Sequence, residues 1–193
     1  MRYDLFSIPI LVDDLDITKL KINDSNTHTQ FGSEIESSHG LSNNIDKDCI
    51  DYFFKIIVKN LNEIISKPYI VKLDHIWKNY YKPGDFQEKH IHSGSDFSFI
   101  IYESVDSDTV FVHPVHYLIK EKYKNKNIFE TQYSIKNKIG KIIIFPSFLE
   151  HYVKKQKSSG VTISGNLQVT FKEENLWVYI IMKKYLSKKL LEF

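Results

Sequence analysis

Among its 193 residues the chain has a single cysteine, Cys49. An intrachain disulfide is therefore excluded, and a reducing compartment is the natural setting. Arginine is nearly missing too: Arg2 stands alone, and every other basic residue is a lysine. A fork-shaped, bidentate clamp for a carboxylate is thus scarcely available. Alongside abundant asparagine and isoleucine, this lysine bias reads first as the imprint of an AT-rich genome. Neither sign of charge dominates, the formal net being +2, so composition argues for neither a nucleic-acid protein nor a membrane-surface protein. No apolar run approaches the ~20 residues of a membrane span. The opening MRYDLFSIPILVDDLD meets its first acids too early for a signal peptide. These absences lead to the expectation of a soluble, cytoplasmic protein without nucleic-acid or membrane partners.

What is present is enough apolar surface for a core, 42% of residues, with 14% aromatic. Isoleucine, phenylalanine and tyrosine favour strands over helices. The length suits one domain, 1–193. Residues 4–12, DLFSIPILV, read as an extended segment with Pro9 in an edge-tolerant position. Residues 23–48 are polar and read as loop. In CIDYFFKIIVKNLNEIISK, Ile50, Phe53, Phe54, Ile57, Leu61, Ile64 and Ile65 recur at three- and four-residue steps, which predicts an amphipathic helix capped by Asp46 or Asp48. From residue 69 the pattern alternates. YIVKLDHIWKNYYK, FSFIIYE, TVFVHPVHYLI, FETQYSI, GKIIIFP, HYVKKQ and VTISGNLQVTF predict seven or eight strands over about 69–171. A sandwich, jelly roll or barrel is the expected mainly-β architecture. The tail NLWVYIIMKKYLSKKLLEF keeps a helical period through Leu176, Tyr179, Ile180 and Leu186, and predicts a closing helix.

The chemistry lies in eight histidines: His28, His39, His75, His90, His92, His113, His116 and His151. In GDFQEKHIHSGSD, His90 and His92 are two apart. On a strand such residues share a face with Cα atoms about 6–7 Å apart, so both imidazoles can reach one ion. GKIIIFPSFLEH runs a strand into a short connection and ends on His151, which a jelly roll can bring across the pocket. Three imidazoles leave open positions on an octahedral metal. The other histidines read more plainly. His113 and His116 flank Pro114 as polar strand positions, and His75 alternates with Leu73 and Trp77 as core or surface. His28 and His39 read as solvated, becoming substrate contacts only if their loop is a lid. Trp77 and Tyr80 read as packing, and KEKYKNKN as a solvated hairpin.

Taken in order, WKNYYKPGDFQEKHIHSGSDFSFIIYE, GKIIIFPSFLEH and VTISGN resemble the 2-oxoglutarate and Fe(II)-dependent oxygenases, in the branch common in phages and marine bacteria. IPI at 8–10 and SSHGLSNN resemble that branch's N-terminal region. The resemblance spans about residues 5–170. It implies a double-stranded β-helix, on which the N-terminal and C-terminal helices read from periodicity are expected to pack. It also implies Fe(II) on His90, His92 and His151, with 2-oxoglutarate and O2 as co-reactants. The expected outcome is hydroxylation of a small-molecule or peptide substrate, in a cell that is the protein's own or a virus's host. Many relatives place a carboxylate where His92 stands, and a site of three histidines also suits zinc. The family's arginine for the distal carboxylate of 2-oxoglutarate aligns with Gly160, when Asn166 is matched to the family's asparagine. Lys154, Lys155 or Lys157 would offer a point charge instead. Tyr81, Tyr102 and Asn79 are the expected neutral partners of the cosubstrate. Two alternatives stay open: a three-histidine dioxygenase whose substrate chelates the metal directly, and a β-sandwich recognition module without chemistry.

Overall fold

The computed structural model describes residues 7–24, 26–29, 35–104, 108–124, 126 and 128–172. The predicted C-terminal helix lies outside the described residues. Among the described residues thirteen strands follow one another: β1 (Leu11–Asp14), β2 (Ile22–Asn23), β3 (His28–Thr29), β4 (Glu36–Ser37), β5 (Asn44–Ile45), β6 (Tyr69–Tyr81), β7 (Gln87–His90), β8 (Phe97–Ser104), β9 (Thr109–Val112), β10 (Gln132–Ile135), β11 (Lys141–Pro146), β12 (His151–Val153) and β13 (Gly160–Phe171). Helix α1 (Ile50–Leu61) precedes β6, and α2 (His116–Tyr123) lies between β9 and β10.

The larger sheet has the order β1-β11-β8-β13-β6-β4-β3, and the smaller one β10-β9-β12-β7. Every pairing is antiparallel. A short ribbon joins β2 to β5. The architecture is mainly β, of the double-stranded β-helix type. β13 sits at its centre, paired with β6 along its whole length and with β8 along its first half. One glycine there is obligatory for packing: a Cβ on Gly165 would stand 2.4 Å from the Phe99 ring and 2.6 Å from the His75 carbonyl oxygen.

Alternation along these strands gives the sheet two faces. On the outer face Leu11, Ile76, Phe99, Ile101, Ile142, Ile144, Ile163 and Leu167 form one buried cluster with Phe53, Ile57 and Leu61 of α1. The helix forms where the apolar period predicts it. Asp46 caps the short turn leading into it by accepting from the Asp48 backbone N–H. The helix ends at Leu61, and the Ile64 and Ile65 N–H groups still bond to the Leu61 carbonyl as turns.

One predicted strand is corrected. TVFVHPVHYLI does not run on: β9 stops at Val112 and α2 begins at His116. Pro114 has no N–H for a ladder and restricts the residue before it. His113 therefore closes a turn, its carbonyl accepting from the His116 N–H at 2.9 Å. Lys120–Tyr123, the first half of KEKYKNKN, accordingly lie inside α2 and form no hairpin arm. Among the described residues, no helix is long and apolar enough to cross a membrane.

Candidate metal centre

The two sheets bring their histidines together through the smaller sheet. β7 and β12 are neighbours, and their register sets His90 directly opposite His151. His92 follows two residues on, its backbone N–H donating to the Ser147 carbonyl at 2.9 Å. The rings of His90 and His151 have centroids 4.3 Å apart, and His92 lies 5.2 Å from each. One ligand nitrogen from each ring lies within 4.8 Å of the others, the one such metal-competent group among the described residues. Nitrogens that share an ion at about 2.1 Å stand at most about 4.2 Å apart. Small ring rotations close that difference.

Two tautomers are set by hydrogen bonds. His90 Nδ1 lies 2.7 Å from the Glu88 carbonyl oxygen, and His151 Nδ1 lies 3.0 Å from that of Leu149. A carbonyl only accepts, so each Nδ1 carries the proton and each Nε2 keeps its lone pair. Burial pushes all three ring pKa values down. For His92, burial and then the neighbouring His90 and His39 lower it to about 4. His151 is held well below the usual histidine range by burial, then by His90 and His92. His90 is lowered by burial against the opposing bond to Glu88. At neutral pH the centre therefore offers three neutral Lewis bases, as a metal site requires.

The inner face of the larger sheet supplies the floor. Trp77, Asn79 and Tyr81 project there from β6, Thr162, Ser164 and Asn166 from β13, and Ser98 and Tyr102 from β8. Asn79 donates to Thr162 Oγ1 and Ser164 Oγ, both at 3.3 Å, and accepts from Ser37 Oγ at 2.9 Å. The Tyr102 hydroxyl donates to Thr109 Oγ1 at 2.7 Å, and burial raises its pKa to about 12. The Tyr81 hydroxyl donates to Gln87 Oε1 at 2.8 Å and is likewise raised by burial. Asn166 accepts from Ser98 at 3.0 Å, and Ser98 lies 2.8 Å from Ser147. That network ties the turn before His151 to the sheet. No lysine, arginine or acid occurs among the buried polar residues described.

The remaining predicted residues fall elsewhere. Lys154 is exposed and lines an outer groove with Phe86, Glu88 and Tyr152. Alternation along β12 explains this: His151 and Val153 point inward, so Tyr152 and Lys154 point outward. His75 pairs with Asp74 on the surface at 2.9 Å, and His116 is buried at the start of α2. His39 departs from the solvated reading. Its ring packs edge-on against Trp77 at 4.6 Å. The serines beneath the site, Ser98 and Ser147, carried no sequence signal beyond their place within the strand and turn.

With this geometry in place, comparison with known proteins shows what the chain resembles. Residues 75–166 match the family model described as "Putative 2OG-Fe(II) oxygenase", a span running from β6 to β13 through all three histidines. Over those residues, just under half of the chain, the sequence is similar to that family. A comparison with curated proteins returned no match. Among solved structures, an oxidoreductase of the 2OG-Fe(II) oxygenase family from Burkholderia pseudomallei is 10% identical, with 74% of this chain and 72% of that one covered and a TM-score of 0.52. HygX from Streptomyces hygroscopicus, solved with nickel and 2-oxoglutarate bound, is 8% identical over 83% of each chain, with a TM-score of 0.53. The epimerase SnoN from nogalamycin biosynthesis is 9% identical, covering 77% of this chain and 69% of that one, with a TM-score of 0.52. These likenesses establish a shared fold.

Proposed function

We propose that the protein is a mononuclear non-haem iron oxygenase in which His90, His92 and His151 hold Fe(II). In this reading 2-oxoglutarate and O2 serve as co-reactants and a small molecule or peptide is hydroxylated. The observation that carries the reading is the convergence of three neutral imidazoles, His151 buried and His90 and His92 half-buried, at the mouth of a hydroxyl-lined floor. When bound, iron with its oxoacid and O2 supplies the oxidising chemistry.

The chain's own residues bind, orient and exclude water. The Glu88 and Leu149 carbonyls fix the tautomers of His90 and His151. Phe111 and Phe145 pack against the His151 ring at 5.9 and 4.8 Å and keep it dry. Asn79, Tyr102 and Tyr81 are the floor's polar groups for the far end of the cosubstrate, and their donors, which here bond to Thr162, Ser164, Thr109 and Gln87, would switch to it on binding. Asn79 lies about 7 Å, and Tyr81 about 13 Å, along β6 from Trp77 at the metal end. Electrostatics favours a dianion here. Three neutral ligands leave a divalent ion its full charge, and the dicarboxylate of 2-oxoglutarate cancels it without a cationic side chain.

Anaerobic addition of Fe(II) and then 2-oxoglutarate tests this reading. A weak visible charge-transfer band is expected after the second addition. The uncharged floor also favours a second reading, in which the substrate chelates the metal directly and no 2-oxoglutarate is used. Iron uptake with no such band supports that reading and overturns the first.

A further inference from the structure

We propose that Trp77, backed by His39, is the positioning device for His92. It replaces the hydrogen bond that His90 and His151 each have and His92 lacks. The proposal rests on the metal-centre reading above and deepens it.

The three candidate ligands are not held alike. His90 and His151 each have Nδ1 on a backbone carbonyl two residues earlier. A ring held at two points, the carbonyl and the ion, has one orientation. His92 has its backbone tied to Ser147, yet no hydrogen bond reaches its ring among the described residues. Its orientation must come from packing. The aromatic side chain of a floor residue supplies it: the Trp77 ring lies 5.7 Å from that of His92, tilted by 35°. Phe145 touches the same ring more loosely, at 6.5 Å.

Trp77 is in turn braced from outside. The His39 and Trp77 rings meet in a T-shaped arrangement, at 4.6 Å and 82°, a geometry favoured by ring quadrupoles. His39 is exposed, but the residues before it are locked. Ser37 and Ser38 are both fully buried. The Ser38 N–H donates to the Lys78 carbonyl at 3.0 Å, and the Lys78 N–H returns to Ser38 Oγ at 2.9 Å. Ser37 Oγ bonds to Asn79 and accepts from the His39 N–H at 3.1 Å. The edge of β6 therefore fixes where His39 stands, His39 covers Trp77, and Trp77 faces His92. Ring area and stiffness matter in this stack, and the polar character of His39 does not.

Co(II) titration, read by the visible ligand-field spectrum and by competition with a chelator, tests the device. Melting of the metal-free protein is followed beside it. Trp77→Leu should weaken Co(II) by roughly 10–100-fold and shift the spectrum to that of His92→Ala, while Trp77→Phe recovers most of both. His39→Phe should match the parent, and His39→Ala should fall between the parent and Trp77→Leu. Trp77→Leu with parental affinity and spectrum overturns the proposal. Should that variant fail to fold, the His39 pair decides, and equal Co(II) affinity for His39→Ala and the parent overturns it. A parent that takes up no Co(II), or a His151→Ala variant that binds as the parent does, shows instead that the metal-centre reading has failed and takes the proposal with it.

Discussion

The two faces of the seven-stranded sheet are woven from the same strands and do opposite work. Outward, Ile76, Phe99, Ile101 and Ile163 meet α1 in an apolar layer. Inward, the residues between them are Trp77, Asn79, Ser98, Tyr102, Thr162 and Ser164: Asn79 bonds to Thr162 and Ser164, Ser98 to Asn166 and Tyr102 to Thr109. A period of two thus assigns stability to one side and chemistry to the other. The lesson is a division of labour. The outer face can be judged by volume, and the inner face only by which donors meet which acceptors.

The comparison breaks most visibly with Phe53→Ala. Phe53 is 1% exposed, and its truncation should cost about 3–5 kcal/mol of stability, read by chemical denaturation. Iron stoichiometry of the folded fraction should stay unchanged. His151→Ala does the reverse. Iron affinity should fall by more than the roughly 10–100-fold typical of losing a ligand's supporting partner, measured by anaerobic titration, with the apolar layer intact.

Acid offers a subtler probe. Burial keeps the three rings neutral in the folded chain, with His92 at about 4, whereas histidines of the unfolded chain titrate near pH 6.5. As pH falls from about 7 towards about 4, the unfolded state gains protons that the folded state refuses. Stability of the metal-free protein should fall across that window, and His151→Ala should flatten the slope. The smallest effect should come from Ser98→Ala. It removes the donor to Asn166 and should cost about 1 kcal/mol, visible as a lowered melting temperature.

Much of this division was legible in the residues. β6 and β13 alternate over enough length to fix both their existence and their two faces, while β8 and β11 stand out as apolar runs. His90 and His92, with His151, were found from spacing and from the strand that precedes the last of them. Other features lay beyond pattern. β12 is three residues long, too short for alternation to say which side Lys154 would take. α2 hid inside an apolar run because Pro114 broke a strand and released a helix, and periodicity could not separate the two. The place of His39 against Trp77 depends on the β4–β6 pairing, Glu36 to Tyr80 and Ser37 to Asn79. That contact joins segments far apart in the chain, so local composition could not announce it.

The register of β7 carries one more implication. β7 is the outermost strand of the smaller sheet, paired on one side only, and such strands fray first. His90 sits on it directly across from His151, so an ion shared by the two would rivet the loose margin of the barrel to its interior. Occupancy would then be written into backbone breathing: amide hydrogens of Gln87–His90 should exchange markedly more slowly once the ion is bound, while those of α1 keep their pace. The barrel's lip would serve as a gauge of its own loading.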